Sequence, residues 1–166
     1  GYNPDIRTFT VVNAELSYQQ NVNWVSDATT NPEDKERVMD GDDTTSWSAF
    51  DAYDEGLFFN LLETKRILGF RITVASNRFN SFNFKVSNDG ITYYTILEVT
   101  NLVGDNNLRT YQYNFPNVTC QYLKITGIYS LEYTPLVYDV SFKILDDTSE
   151  NNSNMYLIND EIQPDL

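Results

Sequence analysis

Apolar and polar positions alternate with a period of two in several separated stretches of this chain. Leu68, Phe70, Ile72 and Val74 share one side against Gly69, Arg71 and Thr73. Phe82, Phe84 and Val86 alternate with Ser81, Asn83, Lys85 and Ser87, and the rhythm returns at Tyr111, Tyr113 and Phe115 and at Tyr138, Val140, Phe142 and Ile144. Successive side chains of an extended chain point to opposite faces, so these stretches predict half-buried strands. Residues 8–13 read as a first strand, residues 14–37 as a long irregular approach containing Trp24 and the Asn31-Pro32 break, and residues 121–128 as a further strand. No window carries an apolar stripe at helical spacing long enough to predict a helix. Turn-forming residues at 88–90 (Asn-Asp-Gly), 104–107 (Gly-Asp-Asn-Asn) and 116–117 (Pro-Asn) separate the strands. The expectation is an all-β fold: an antiparallel β-sandwich of jelly-roll type. On its strand, Asp139 falls on the face opposite Tyr138, Val140 and Phe142, away from the core, where an ionised carboxylate needs a partner or water.

Composition bounds the rest. The 166 residues amount to one domain, with 12 Tyr and 10 Phe matching a β-rich core. From Asp146 the text becomes polar and acidic, so the expected division is a domain over 1–145 and a tail or linker over 146–166, with residues 155–158 able to dock or to open a neighbouring domain. The 24 acidic against 11 basic residues, a net charge of −13, argue against nucleic-acid partners and anionic membranes. The single cysteine, Cys120, excludes an internal disulfide and is expected as a buried thiol. Absence of histidine excludes His-based triads, metal sites and proton shuttles. No run approaches the 18 apolar residues of a membrane-spanning helix, and no signal peptide is read at Gly1.

Candidate chemistry concentrates at Val38-Met39-Asp40-Gly41-Asp42-Asp43-Thr44-Thr45-Ser46-Trp47. Asp40, Asp42 and Thr45 place oxygens at intervals of two and three around Gly41, which suits a hard cation such as Ca²⁺. The same residues are also good turn chemistry, and the run is not an EF-hand loop, lacking its terminal Glu and flanking helices. A second constellation lies in three loops: Phe50 and Tyr53, then Arg78, Phe79 and Asn80, then Tyr129, Leu131 and Tyr133. Aromatic faces beside planar donors are what a sugar ring needs, the first for its C–H face and the second for its hydroxyls. The competing readings are a solvated or salt-bridged Arg78 and core packing for Phe50 and Phe79.

The segment 38–48 resembles the Asp-Gly-acidic-x-x-Thr-x-Trp signature of the discoidin superfamily, the coagulation factor V/VIII type C domains, and of family 32 carbohydrate-binding modules. Residues 56–62 with 67–72 resemble the family's strand, short loop, strand pair. Residues 84–93 resemble its strand running into Ser-x-Asp-Gly and an aromatic, and residues 121–125 and 138–142 resemble its last two strands. The likeness covers about residues 20–145 and implies the same jelly roll. It also implies a calcium ion held by the carbonyls of Arg37 and Tyr138 and the side chains of Asp40, Asp42, Thr45 and Asp139. Asp139 stands where the family usually has Glu. In family 32 modules the three loops above form the sugar site. Arg78 and Asn80 match by type and position, and Tyr129 or Tyr133 is the platform. The family's histidine is replaced near Phe50 or Asp51, which speaks against galactose-type specificity.

The expected function is therefore a non-catalytic carbohydrate-binding module stabilised by structural Ca²⁺, recognising terminal sugars as one module of a larger protein. An extracellular or cell-surface setting fits, because calcium sites of modest affinity fill there. The alternative is an adhesion or protein-interaction domain of the same fold, binding a protein partner. Catalysis is disfavoured: no nucleophile motif or phosphate-binding glycine loop is present, and the clustered carboxylates are better explained by calcium.

Overall fold

In a computed structural model, which describes residues 14–147, eight strands account for most of the chain. They are β1 (Ala14–Gln19), β2 (Val25–Ala28), β3 (Trp47–Ser48), β4 (Glu55–Ala75), β5 (Ser81–Ser87), β6 (Tyr94–Val99), β7 (Leu108–Tyr129) and β8 (Leu136–Asp147). Short 3₁₀ segments at Val22–Trp24, Pro32–Met39 and Ser76–Arg78 punctuate the connections. Every strand pairing is antiparallel, in the order β1-β8-β4-β7-β5-β6, with β2 added beside β4 and β3 beside β8.

β4 and β7 are long because each serves two sheets. The second half of β4 pairs with the first half of β7 (Phe70↔Tyr113, Val74↔Arg109) and with β8 (Phe70↔Phe142), and β8 also holds β1. The first half of β4 pairs with the second half of β7 (Phe59↔Leu123), which continues into β5 and β6. The two strands cross between sheets where their register slips, between Asn60 and Lys65 and between Ile67 and Gly69. Two facing sheets joined along one end make the expected sandwich.

The inward stripes meet between them. Phe70 stacks on Phe84 at 4.4 Å and meets Phe82 edge-on at 5.9 Å, while Phe59 meets Phe142 edge-on at 5.1 Å. Such offset and edge-on pairs bury large apolar area and add about 0.5–1.5 kcal/mol each beyond it. Trp47 is fully buried, its indole Nε1 donating to the Thr30 carbonyl at 2.8 Å. Cys120 is buried in β7, as expected.

Several local expectations need correction. The stretch 14–37 contains β1 and β2 rather than an irregular approach, and residues 8–13 lie outside the described residues. Pro116-Asn117 is not a turn between strands. It sits inside β7 where residues 115–117 oppose Leu68 alone, a bulge in which proline's missing N–H costs no ladder bond. The same slip places Ile67 rather than Leu68 in the core. In β8, a second irregularity (Thr73↔Asp139, then Val74↔Val137) buries Val137 in place of Tyr138. Residues 56–62 and 67–72 belong to one strand, kinked at Leu62, whose φ is +71°. β8 extends to Asp147, with Asp146 and Asp147 opposite Glu15 and Ala14, two residues past the expected domain end. Residues 148–166 lie outside the described residues.

Candidate functional site

The acidic loop follows the 3₁₀ segment Pro32–Met39, whose last residues, Val38 and Met39, are buried and fasten it to the core. Gly41 then turns the chain at φ +76°, a conformation that L side chains resist. Oxygens converge on Thr45, whose hydroxyl lies 2.6 Å from Asp40 Oδ2 and 3.1 Å from the Asp42 carbonyl. The other Asp40 oxygen accepts the Asp42 amide at 2.9 Å. Asp42 accepts both the hydroxyl (2.6 Å) and the amide (2.9 Å) of Thr44, which together hold its carboxyl below the usual range.

Asp139 arrives from β8 through a residue that sequence reasoning missed. Gln20, just past β1, donates to Asp139 Oδ1 at 3.0 Å and to the Val140 carbonyl at 2.9 Å, while its own carbonyl oxygen faces Gly41. Burial raises the Asp139 carboxyl above its ordinary value, helped by the nearby charges of Asp43 and Asp40 and opposed by Gln20 and Arg71. Asp43 is thus a further member of the acidic group. Arg37 turns its guanidinium to Asp34 at 3.1 Å and to the Ser46 carbonyl at 3.4 Å, leaving its own carbonyl for the expected role. Among the described residues no three acidic, cysteine or histidine side chains come together as a metal cluster. The oxygens of this loop and of Asp139 are carboxylates, a hydroxyl and backbone carbonyls, hard donors by their chemistry.

The three aromatic loops all lie at one end of the sandwich, where β3 leads to β4, β4 to β5, and β7 to β8. Phe50 is 77% exposed, Tyr53 63% and Tyr133 57%, beside an equally open Leu131. Tyr53 packs against Tyr129 with ring centroids 5.2 Å apart. Arg78 donates from Nε to the Thr134 carbonyl at 2.7 Å and from its terminal nitrogen to the Thr134 hydroxyl at 2.9 Å, and lies 5.7 Å from the Tyr133 ring centre. Arg78 therefore positions the β7–β8 loop and its tyrosine.

Two expected members are engaged within the fold, Phe79 buried and Asn80 half-exposed. Phe79 is 1% exposed and packs on Phe82 at 5.4 Å, because β5 begins directly after it and draws its ring into the aromatic core. Asn80 commits its amide to the Leu102 carbonyl at 2.9 Å and so pins the β6–β7 loop, lining a cleft of about 460 Å³ with Ser76, Asn77, Val103, Leu131 and Glu132. Ser76 closes that wall: its hydroxyl meets the Asp105 carbonyl, the Asp105 carboxylate and the Asn107 carbonyl at 2.7–3.1 Å and accepts the Asp105 amide. The β6–β7 loop carried no aromatic to mark it in the sequence.

Glu55, expected among the open loop carboxylates with Asp51, Asp54 and Glu132, lies beneath them instead. It is buried, and its carboxylate accepts from the hydroxyls of Thr29 and Thr30 and from the Asp51 amide. It thereby anchors the loop that holds Phe50 and Tyr53 outward. Ser130 completes the anchor by donating its amide to the Ala52 carbonyl at 3.0 Å.

A 4,5-unsaturated mannuronic acid complex of the family 32 carbohydrate-binding module of AlyQ is similar at a TM-score of 0.62, with 21% identity over 75% of this chain and 96% of that one. The module CpGH89CBM32-6 of Clostridium perfringens is similar at 0.56, with 14% identity over 79% and 93%. Chitosan-binding module 1 of a chitosanase/glucanase from Paenibacillus sp. IK-5 is similar at 0.58, with 18% identity over 78% and 94%. These likenesses establish a shared fold. No curated protein sequence matches significantly. The sequence model of the F5/8 type C domain matches residues 13–135, most of the chain and all of the acidic and aromatic loops. The chain belongs to the F5/8 type C, or discoidin, domain family.

Proposed function

We propose that this domain is a non-catalytic carbohydrate-binding module whose ligand site is the loop end of the sandwich, and whose acidic loop holds a structural Ca²⁺. The observation that carries the reading is the group of outward aromatics, Phe50, Tyr53 and Tyr133, mounted on loops made rigid by Glu55 and Arg78. Open rings on a fixed scaffold stack against a sugar face at little entropic cost, and single apolar residues scattered over a surface do not make such a platform. Fold neighbours that bind a mannuronic acid derivative and chitosan support a carbohydrate over other ligands. Asp51, Asp54 and Glu132 surround the platform, and two of the Arg78 nitrogens already bond Thr134, so the site favours sugars without negative charge.

The hard-oxygen chemistry of these residues supports a hard cation. The carbonyls of Arg37 and Tyr138 and the side chains of Asp40, Asp42, Thr45 and Asp139 would hold it. Bound there, Ca²⁺ would supply the positive charge that the mutually repelling Asp40, Asp43 and Asp139 lack. Its role is in folding, because an ion that binds only the native state stabilises by RT ln(1 + [L]/Kd), about 2.7 kcal/mol at a hundredfold excess over Kd. Weak single-site sugar binding fits a module acting beside others in an extracellular or cell-surface protein.

The test is a glycan array on the domain in millimolar calcium, with a chelated sample and Tyr53→Ala alongside. Hits on related uncharged sugars, lost in Tyr53→Ala, are the expected result. A blank array from folded, calcium-responsive protein overturns the reading and turns attention to a protein partner for the same aromatic end.

A further inference from the structure

The outer face of the β2-β4-β7-β5-β6 sheet carries a feature that the loop site does not use. Across it, one row of directly paired residues reads Asp27, Phe58, Lys124, Lys85 and Thr95. Lys124 lies between buried Leu123 and Ile125, and Lys85 between buried Phe84 and Val86, so both ammonium groups rise from the same outward face. Directly opposed residues have Cβ atoms about 4.5–5.5 Å apart, and like charges in that position destabilise a sheet. The pair is also poorly compensated. Among the described residues neither lysine has a carboxylate within ion-pair distance. Asp89 accepts from the amides of Ile91 and Thr92 and the Ser87 hydroxyl, which hold its carboxyl low, and its charge acts on Tyr93 without pairing either lysine; Asp27 accepts the Ala28 amide one strand beyond Phe58, and Glu98 lies at the edge opposite Asn83.

Aromatic rings frame the two cations. The Tyr93 ring centre lies 4.0 Å from Lys124 Nζ. Tyr122, opposite Ser87, sits beside the pair and packs under Gly90, where any side chain would meet its ring at 3.3 Å. Phe58 is half-exposed on the other side of Lys124. Lys124 titrates below the ordinary lysine range, through its partial burial and then through Lys85, so the ammonium is destabilised where it stands.

We propose that this face is a second binding site, for a negatively charged polysaccharide whose carboxylates or sulfates bridge Lys85 and Lys124 while its ring faces lie on Tyr93, Tyr122 and Phe58. An anion between two ammonium groups that no carboxylate pairs removes their repulsion, and flat rings on a sheet suit an extended chain. The site is independent of the loop end, where Asp51, Asp54 and Glu132 oppose such a ligand. One module would then grip neutral and acidic glycan chains at separate places.

The experiment titrates ¹⁵N-labelled protein with oligogalacturonate, with a sulfated oligosaccharide of matched length, and with a neutral oligosaccharide as control. The expected result is shifts in the amides of Lys85, Tyr93 and Lys124 with one or both anionic ligands, weakened at least tenfold in the Lys85→Gln/Lys124→Gln double variant and by raised salt. Which ligand acts identifies carboxylate or sulfate as the recognised group. The double variant should melt no lower than the parent and keep any neutral-sugar binding at the loops, so loss of the acidic ligand reads on this site alone. Shifts confined to the loop end, or equal binding by the double variant, would overturn the proposal; so would absence of binding by either anionic ligand.

Discussion

Residues of one chemical type divide here according to which side of a strand or loop they occupy. Phe79 and Tyr53 were both candidates for a sugar platform. Phe79→Ala should cost about 3–5 kcal/mol by leaving a cavity in the aromatic core, whereas Tyr53→Ala should cost about 1 kcal/mol or less and abolish glycan binding. Denaturant melts and a binding titration on both variants separate the roles. Sequence could not sort them, because a loop has no period from which to read the inward face. Asp139 carries a pH signature. Burial and its acidic neighbours raise its folded-state value, so without a cation its ionisation opposes folding and stability falls as pH rises through that raised value. In chelator at neutral pH, Asp139→Asn should therefore raise the melting temperature, and in calcium it should forfeit the calcium-dependent gain. Equal calcium responses in Asp139→Asn and the parent would dismiss its part in the metal site. The Cys120 thiol, pushed up to about 12 by burial, should resist iodoacetamide at pH 8 until the protein unfolds, as mass spectrometry can follow.

At the scale of elements, the strands that sequence revealed are those with long uninterrupted alternation, such as β5 with Phe82, Phe84 and Val86. What stayed hidden was where alternation breaks. The bulge around Pro116 and the slip at Val137–Asp139 each move the inward stripe by one residue, and such shifts depend on the partner strand. β1 was missed for a related reason: its six residues pair with β8, more than a hundred residues away, and nothing local announces that partner. The β6–β7 loop makes a direct test of how elements shape the site. A Cβ on Gly104 would fall 2.0 Å from the Ser76 carbonyl oxygen, so Gly104→Ala must push the loop off its wall. The melting temperature should drop by several degrees and the cleft beside Leu131 should change shape. Unchanged stability would show that the loop relocates freely.

For the molecule as a whole, the arrangement of strands decides how it yields. β1 and β8 are antiparallel neighbours whose pairing starts at Ala14↔Asp147, at the end of the sandwich opposite the aromatic loops. Tension applied at Ala14 and Asp147, as when neighbours on both sides pull on the domain, draws those two residues directly apart. The load then falls on one rung of the ladder at a time, as in opening a zipper, instead of on all rungs at once as in sliding strands past each other. β1 should peel first and at low force. Its last rung, Gln19↔Phe142, lies next to Gln20, the residue that tethers Asp139. Mechanical opening would thus reach the acidic loop before it disturbs the β4–β7 crossing that joins the sheets, making the proposed cation site the first casualty of stretch and an ion bound there a brake on it.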